Sequence, residues 1–119
     1  MGLTFIPVTV SNPADPEKRT TVDCLIDSGT VYSVIPKRIL NNLKIKPEET
    51  RQFTWAFGKK MKRAVGIARF QMDGKKGGAP VVFGEIKDSA LLGATALEAM
   101  GMTFNPLTRE LLSLPMIIG

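Results

Sequence analysis

The 119-residue chain has no histidine and a single cysteine, Cys24. The first absence excludes the Ser-His-Asp and Cys-His hydrolytic mechanisms, both of which need an imidazole base. Together the two absences exclude an internal disulfide and the ordinary Cys/His zinc cages, so neither metal nor cofactor is expected. No stretch approaches the roughly 20 apolar residues of a membrane span. The N-terminus has no basic segment followed by an apolar run, and Ile6 stands where a myristoylation motif requires Ser or Thr. The expectation is a soluble, cytoplasmic protein from a reducing compartment, with no membrane partner. What remains for catalysis is carboxylate or lysine chemistry.

Acidic residues are scarce in one region. Between Arg51 and Lys76 eight basic residues face only Asp73, a net +7, whereas the whole chain carries +5. The rest of the chain is therefore slightly acidic, at −2. A chain of this length forms one domain, 1–119, and buries about two thirds of its unfolded surface.

Apolar alternation and turn residues give an order of short strands. Leu3 to Val10 and Arg19 to Ile26 read as a hairpin joined by a long turn through Asn12-Pro13-Ala14-Asp15-Pro16. Val31 to Ile35 follows as a strand, and Pro36 opens a short helix over Lys37 to Leu43. Arg51 to Phe57 enters a turn at Gly58-Lys59-Lys60, and Met61 to Met72 returns with a bulge expected at Gly66. Asp73 to Gly78 reads as a loose turn before a strand over Ala79 to Ile86. Ala94 to Met100 is a helix capped by Gly101, and Arg109 to Leu114 is a last strand. Many short strands with two small helices predict an all-β, closed, barrel-like domain.

Chemistry concentrates at Asp27-Ser28-Gly29. Cys24-Leu25-Ile26 delivers the carboxylate at the end of an apolar strand, and Gly29 lets the backbone turn tightly with its N–H groups toward the acid. These residues also make ordinary turns. The longer segment Cys24-Leu25-Ile26-Asp27-Ser28-Gly29-Thr30-Val31-Tyr32-Ser33-Val34-Ile35-Pro36 resembles the active-site segment of the retropepsin-like aspartic proteases. About 60 residues later, Leu91-Leu92-Gly93 leading into Ala94 to Gly101 resembles that family's second motif, two aliphatic residues and a glycine opening a helix. Order, spacing and element type agree from Thr20 to Leu114.

The resemblance implies a retropepsin-like acid-protease barrel working as a homodimer on polypeptide substrates. The sequence contains one Asp-Ser-Gly only, so the two carboxylates of an aspartic endopeptidase have to be Asp27 from each of two copies, related by a twofold axis. Like charges about 3 Å apart cannot both ionise, and the pair then supplies one base and one acid; the handling of such dyads is well established for aspartic proteases. The resemblance further implies that Ser28 hydrogen-bonds across to the partner loop, that Gly29 lies beside the dyad, and that Thr30 occupies a position where alanine is frequent. It assigns a flap over the substrate to the hairpin containing Trp55, Ala56, Phe57, Gly58 and Lys59; Trp55 and Phe57 alternate onto one face, which either lines the cleft or packs as an ordinary strand face. Leu91, Leu92 and Gly93 are expected to pack behind the Asp27 loop rather than touch substrate.

Cys24 reads as a small buried hydrophobe and Ser33 as a hydrogen-bonding core hydroxyl. The apolar termini, Leu3 to Val10 and Leu111 to Ile118, are expected to pair between subunits. Two rival readings stand beside the peptidase. One is a catalytically silent protease fold serving as a dimeric binding module. The other, less favoured, is a basic β-barrel binding nucleic acid through the +7 stretch and its aromatic residues.

Overall fold

The computed structural model describes residues 4–54, 58–115 and 117–118. Its elements are β1 (Phe5–Asn12), β2 (Asp15–Ile26), β3 (Ser33–Pro36), α1 (Lys37–Asn42), β4 (Glu49–Thr54), β5 (Lys60–Met72), β6 (Lys75–Gly84), β7 (Leu91–Leu92), α2 (Ala94–Ala99), β8 (Met102–Asn105) and β9 (Glu110–Ser113). Seven strands form one sheet in the order β1-β2-β7-β3-β6-β5-β4, and a further pairing of β1 with β5 closes it into a barrel. Closure runs through Thr9 opposite Gln71, Val10 opposite Phe70 and Ser11 opposite Arg69. Among the described residues β4 pairs only with β5, as one arm of a hairpin at the end of the sheet, while β8 and β9 pair separately.

Strand alternation sorts side chains between two apolar groups. Val8, Val10, Val22, Cys24, Ile26, Ile35, Ala68, Phe70, Val81 and Phe83 enter the main core, joined by Leu40, Leu92 and Leu97 from the α1 side, β7 and α2. Their sequence neighbours Val34, Val82 and Leu91 point the other way and join Val65, Tyr32 and Phe53 in a smaller cluster. Strands β3, β6 and β7 are thus covered on both faces, and this is why they read as continuous apolar runs rather than as alternating ones.

Several local expectations are corrected. The first hairpin turns tightly at Pro13-Ala14, where the Asn12 side chain accepts the Ala14 N–H at 2.8 Å. The register jumps from Ser11 opposite Arg19 to Asn12 opposite Asp15, so Pro16 to Lys18 form an exposed irregularity within β2. Proline is tolerated there because no ladder donor is needed. Gly66 is not a bulge: the β5–β6 register runs unbroken through it, and a Cβ would lie 2.8 Å from the Lys46 carbonyl. Asp73-Gly74 is a two-residue turn with φ of 50° and 76°, so β6 begins at Lys75. Such Asp-Gly turns match the twist of paired strands. β6 ends at Gly84, leaving Ile86 wholly exposed, and Val31 is exposed ahead of β3. The strand β8 was not legible as a separate element. Gly101 caps α2 with a φ of 76°, as its position predicts. No helix among the described residues is long and apolar enough to cross a membrane.

Candidate active site

β2 carries Asp27 out of the core. The main-chain N–H of Asp27 donates to the Leu92 carbonyl at 3.0 Å, and Leu25 N–H donates to the Ala90 carbonyl at 2.9 Å, so β7 braces the strand end. Beyond it the chain folds back on the acid. Gly29 N–H donates to Oδ1 at 3.0 Å, the Thr30 hydroxyl donates to Oδ2 at 2.8 Å, and Thr30 N–H donates to the Asp27 carbonyl at 3.2 Å. Each carboxylate oxygen therefore has one internal donor and keeps accepting capacity for another group. Asp27 is half-buried, whereas Ser28 and Gly29 are exposed.

A glycine is required opposite this loop. A Cβ on Gly93 would lie 2.7 Å from the Tyr32 carbonyl carbon and 2.8 Å from the Thr30 oxygen. That close approach lets Gly93 N–H donate to the buried Ser33 hydroxyl at 2.9 Å. The next two amides continue the bracket: Ala94 N–H reaches the Thr30 carbonyl at 2.8 Å and Thr95 N–H the Val31 carbonyl at 3.0 Å. The two motifs, far apart in sequence, thus clasp each other, with Ser33 in the structural role its surroundings predict.

Asp27, Gly29 and Thr30 line a cavity of about 730 Å³ together with Tyr32, Val34, Arg51, Phe53, Thr54, Val82 and Leu91. Tyr32 and Phe53 meet edge to face, with centroids 6.1 Å apart. Leu92 and Gly93 are buried beside the Asp27 loop, whereas Leu91 reaches the cavity wall, because adjacent strand residues face opposite sides. Of the expected flap residues, Trp55, Ala56 and Phe57 lie outside the described residues. Gly58, with a φ of 76°, and Lys59 are exposed and are not among the described cavity-lining residues. Tyr32 and Arg51 were missed as site residues; the i, i+2 spacing of Arg51 and Phe53 on β4 was the available signal for Arg51.

The Arg63–Asp88 pair was not anticipated either. Arg63 Nε donates to Asp88 Oδ2 at 2.9 Å and a terminal nitrogen to Oδ1 at 3.3 Å, with side chains only 9% and 8% exposed. Burial alone would push the Asp88 carboxyl up, but the Arg63 hydrogen bonds, the Glu85 N–H and the guanidinium charge together bring it below the usual carboxylate range. Burial, with a smaller contribution from the charge of Asp23, pushes the Cys24 thiol up to about 12, so it stays an uncharged, packed thiol. Among the described residues no three His, Cys, Asp or Glu side chains gather as a metal site.

The basic stretch does not form one face. Arg51 and Arg63 are ion-paired, and Lys60 and Lys75 stand at the two hairpin ends of β5 and β6, separated by the thirteen residues of β5.

No protein-family model matches the chain, and no curated protein matches it in sequence. Solved structures do match it. Simian foamy virus (mac) protease superposes with a TM-score of 0.53 at 20% identity, covering 78% of this chain and 92% of that one. EIAV protease, solved in complex with an inhibitor, superposes with a TM-score of 0.61 at 19% identity, covering 84% of this chain and 89% of that one. At that identity the likeness is one of architecture, and the chain has the retropepsin-like fold of these retroviral proteases.

Proposed function

We propose that the protein is an aspartic endopeptidase acting as a homodimer. The observation that carries this reading is Asp27: a single carboxylate, oriented by the Gly29 amide and the Thr30 hydroxyl, is the only acid among the described residues lining a peptide-sized cavity. One carboxylate cannot act as base and acid in the same step, so a second copy of the chain supplies the other.

In this mechanism a water lies between the two Asp27 side chains, which share one proton. The ionised carboxylate takes a proton from the water as its oxygen attacks the scissile carbonyl, and the protonated carboxylate gives its proton to the carbonyl oxygen. The carboxyl that took the water's proton then gives it to the amide nitrogen, the other carboxylate takes a hydroxyl proton from the tetrahedral carbon, and the C–N bond breaks to leave an acid and an amine. The exposed Ser28 hydroxyl bridges the two loops across the axis, and the hairpin through Trp55, Ala56, Phe57, Gly58 and Lys59 closes over the peptide, excluding water.

The test is a peptide-library digest from acid to neutral pH with wild type and Asp27→Asn in parallel, with the oligomeric mass measured on the same samples. The expected result is cleavage by a wild-type dimer and a loss of at least about a hundredfold in Asp27→Asn. Cleavage by both proteins, or by neither in a confirmed dimer, rejects it. The second of these outcomes points to a silent binding module instead.

A further inference from the structure

Arg51 is the one cation among the described residues that line the cavity, as Asp27 is the one acid. The β4–β5 register sets Arg51 directly opposite Arg63. Residues in that relation project from the same face of a hairpin. Their neutralising partners differ. Arg63 is held by Asp88 through two nitrogens in a nearly inaccessible site. Arg51 has only Glu49, through Nε at 2.9 Å, and each side chain is 49% exposed. A pair so solvated contributes little stability, and a second carboxylate can displace its acid.

The guanidinium is also oriented. It lies 5.8 Å from the centroid of the Tyr32 ring, which Phe53 buttresses edge-on. A planar cation on an aromatic face uses its flat side and keeps its edge N–H groups in plane. Arg51 donates through Nε to Glu49, and among the described residues its two terminal nitrogens meet no hydrogen-bond acceptor. A fork of this kind is the geometry that takes a carboxylate through two parallel hydrogen bonds. The apolar part of the wall, with Tyr32, Val34, Phe53, Val82 and Leu91, suits a bulky apolar side chain.

Building on the peptidase reading, we propose that Arg51 is a specificity-determining residue, selecting peptides that carry an Asp or Glu beside the bulky apolar residue filling the cavity. The bound carboxylate replaces Glu49 on the guanidinium. Because substrate carboxyls take up a proton near pH 4 whereas arginine stays charged, the preference disappears as the pH falls through that value.

The experiment uses peptides that differ only in having Glu, Gln or Lys beside a Phe or Leu. Cleavage is compared at pH 6 and pH 3.5 for wild type, Arg51→Gln and Arg51→Glu, and binding of the same peptides is measured calorimetrically on Asp27→Asn. The expected result is a Glu-over-Gln preference of about fivefold at pH 6, absent at pH 3.5 and in Arg51→Gln, and inverted toward Lys in Arg51→Glu. Equal use of Glu and Gln by wild type, or an unchanged preference in Arg51→Glu, overturns the assignment. If nothing is cleaved, the peptidase reading fails alone: the binding preference on Asp27→Asn still decides the role of Arg51, and equal binding of the three peptides rejects it.

Discussion

Ser33 and Gly93 act together although 60 positions separate them. The Ser33 hydroxyl is the acceptor for Gly93 N–H in a fully buried setting. Removing that acceptor strands a buried donor, which costs about 1–3 kcal/mol. Ser33→Ala is therefore expected to lose about 2 kcal/mol in urea unfolding. Gly93→Ala is expected to be worse, because its methyl group meets the Tyr32 and Thr30 backbone, which cannot step aside as a flexible side chain would. A Ser33→Ala protein as stable as wild type would remove the clasp from the account. The catalytic candidate was legible at this scale because Asp27-Ser28-Gly29 is a local signal, with strand, acid and turn all contiguous. The clasp behind it was only partly legible. Sequence pattern marks Ser33 as a core hydroxyl but carries no record of which amide it meets, and the same limit hid the face shared by Tyr32 and Phe53.

Among the elements, the β4–β5 hairpin and the segment joining β6 to β7 are linked by Arg63 and Asp88. Glu85 N–H also donates to Asp88 Oδ2 at 2.8 Å, and Lys37 holds the Glu85 side chain at 2.9 Å, so the connection is fixed to both β5 and α1. The native Asp88 carboxyl lies below its ordinary value, which an unfolded chain restores to near 4. Between those two values the unfolded state binds more protons, so the stabilisation is complete above about pH 4 and is lost as the pH falls through the native value. Asp88→Asn is expected to cost about 2 kcal/mol at pH 7, from hydrogen bonds to a charged group. Its stability should then decline less than that of wild type between pH 5 and pH 3, as read by thermal unfolding. Parallel acid profiles for the two proteins would show that Asp88 does not carry the dependence. The succession of elements along the chain was largely legible, because apolar alternation and turn residues mark most of them, whereas the crossovers that seat β7 between β2 and β3 left no local signal. Two of the errors share a cause: Gly66, Gly77 and Gly78 looked like breaks, yet they lie within continuous ladders. A glycine that admits a neighbouring backbone and one that turns the chain are identical in sequence.

The whole molecule is a closed barrel that leaves apolar surface near its ends uncovered. Phe5 is 58% exposed, Leu112 44%, Ile117 89% and Ile118 99%. Among the described residues β9 pairs only with β8, so its other edge, beside Leu112, has no strand partner there. Exposed apolar side chains next to a strand edge suit pairing with a second copy, and the proposed shared carboxylate site requires one. Burial of a large aliphatic side chain contributes about 1.5–3 kcal/mol, and each 1.4 kcal/mol changes a dissociation constant tenfold. Deleting the residues after Leu114 is therefore expected to weaken the dimer by at least about tenfold, read by sedimentation equilibrium over a concentration series. Activity supplies a second readout. If each site is built from two chains, specific activity falls on dilution through the dissociation constant, and the truncated protein reaches its half-maximal activity at a correspondingly higher concentration. A truncated chain that keeps the wild-type dimer constant would move the interface away from the C-terminal segment, and concentration-independent activity in a monomer would reject the shared site itself.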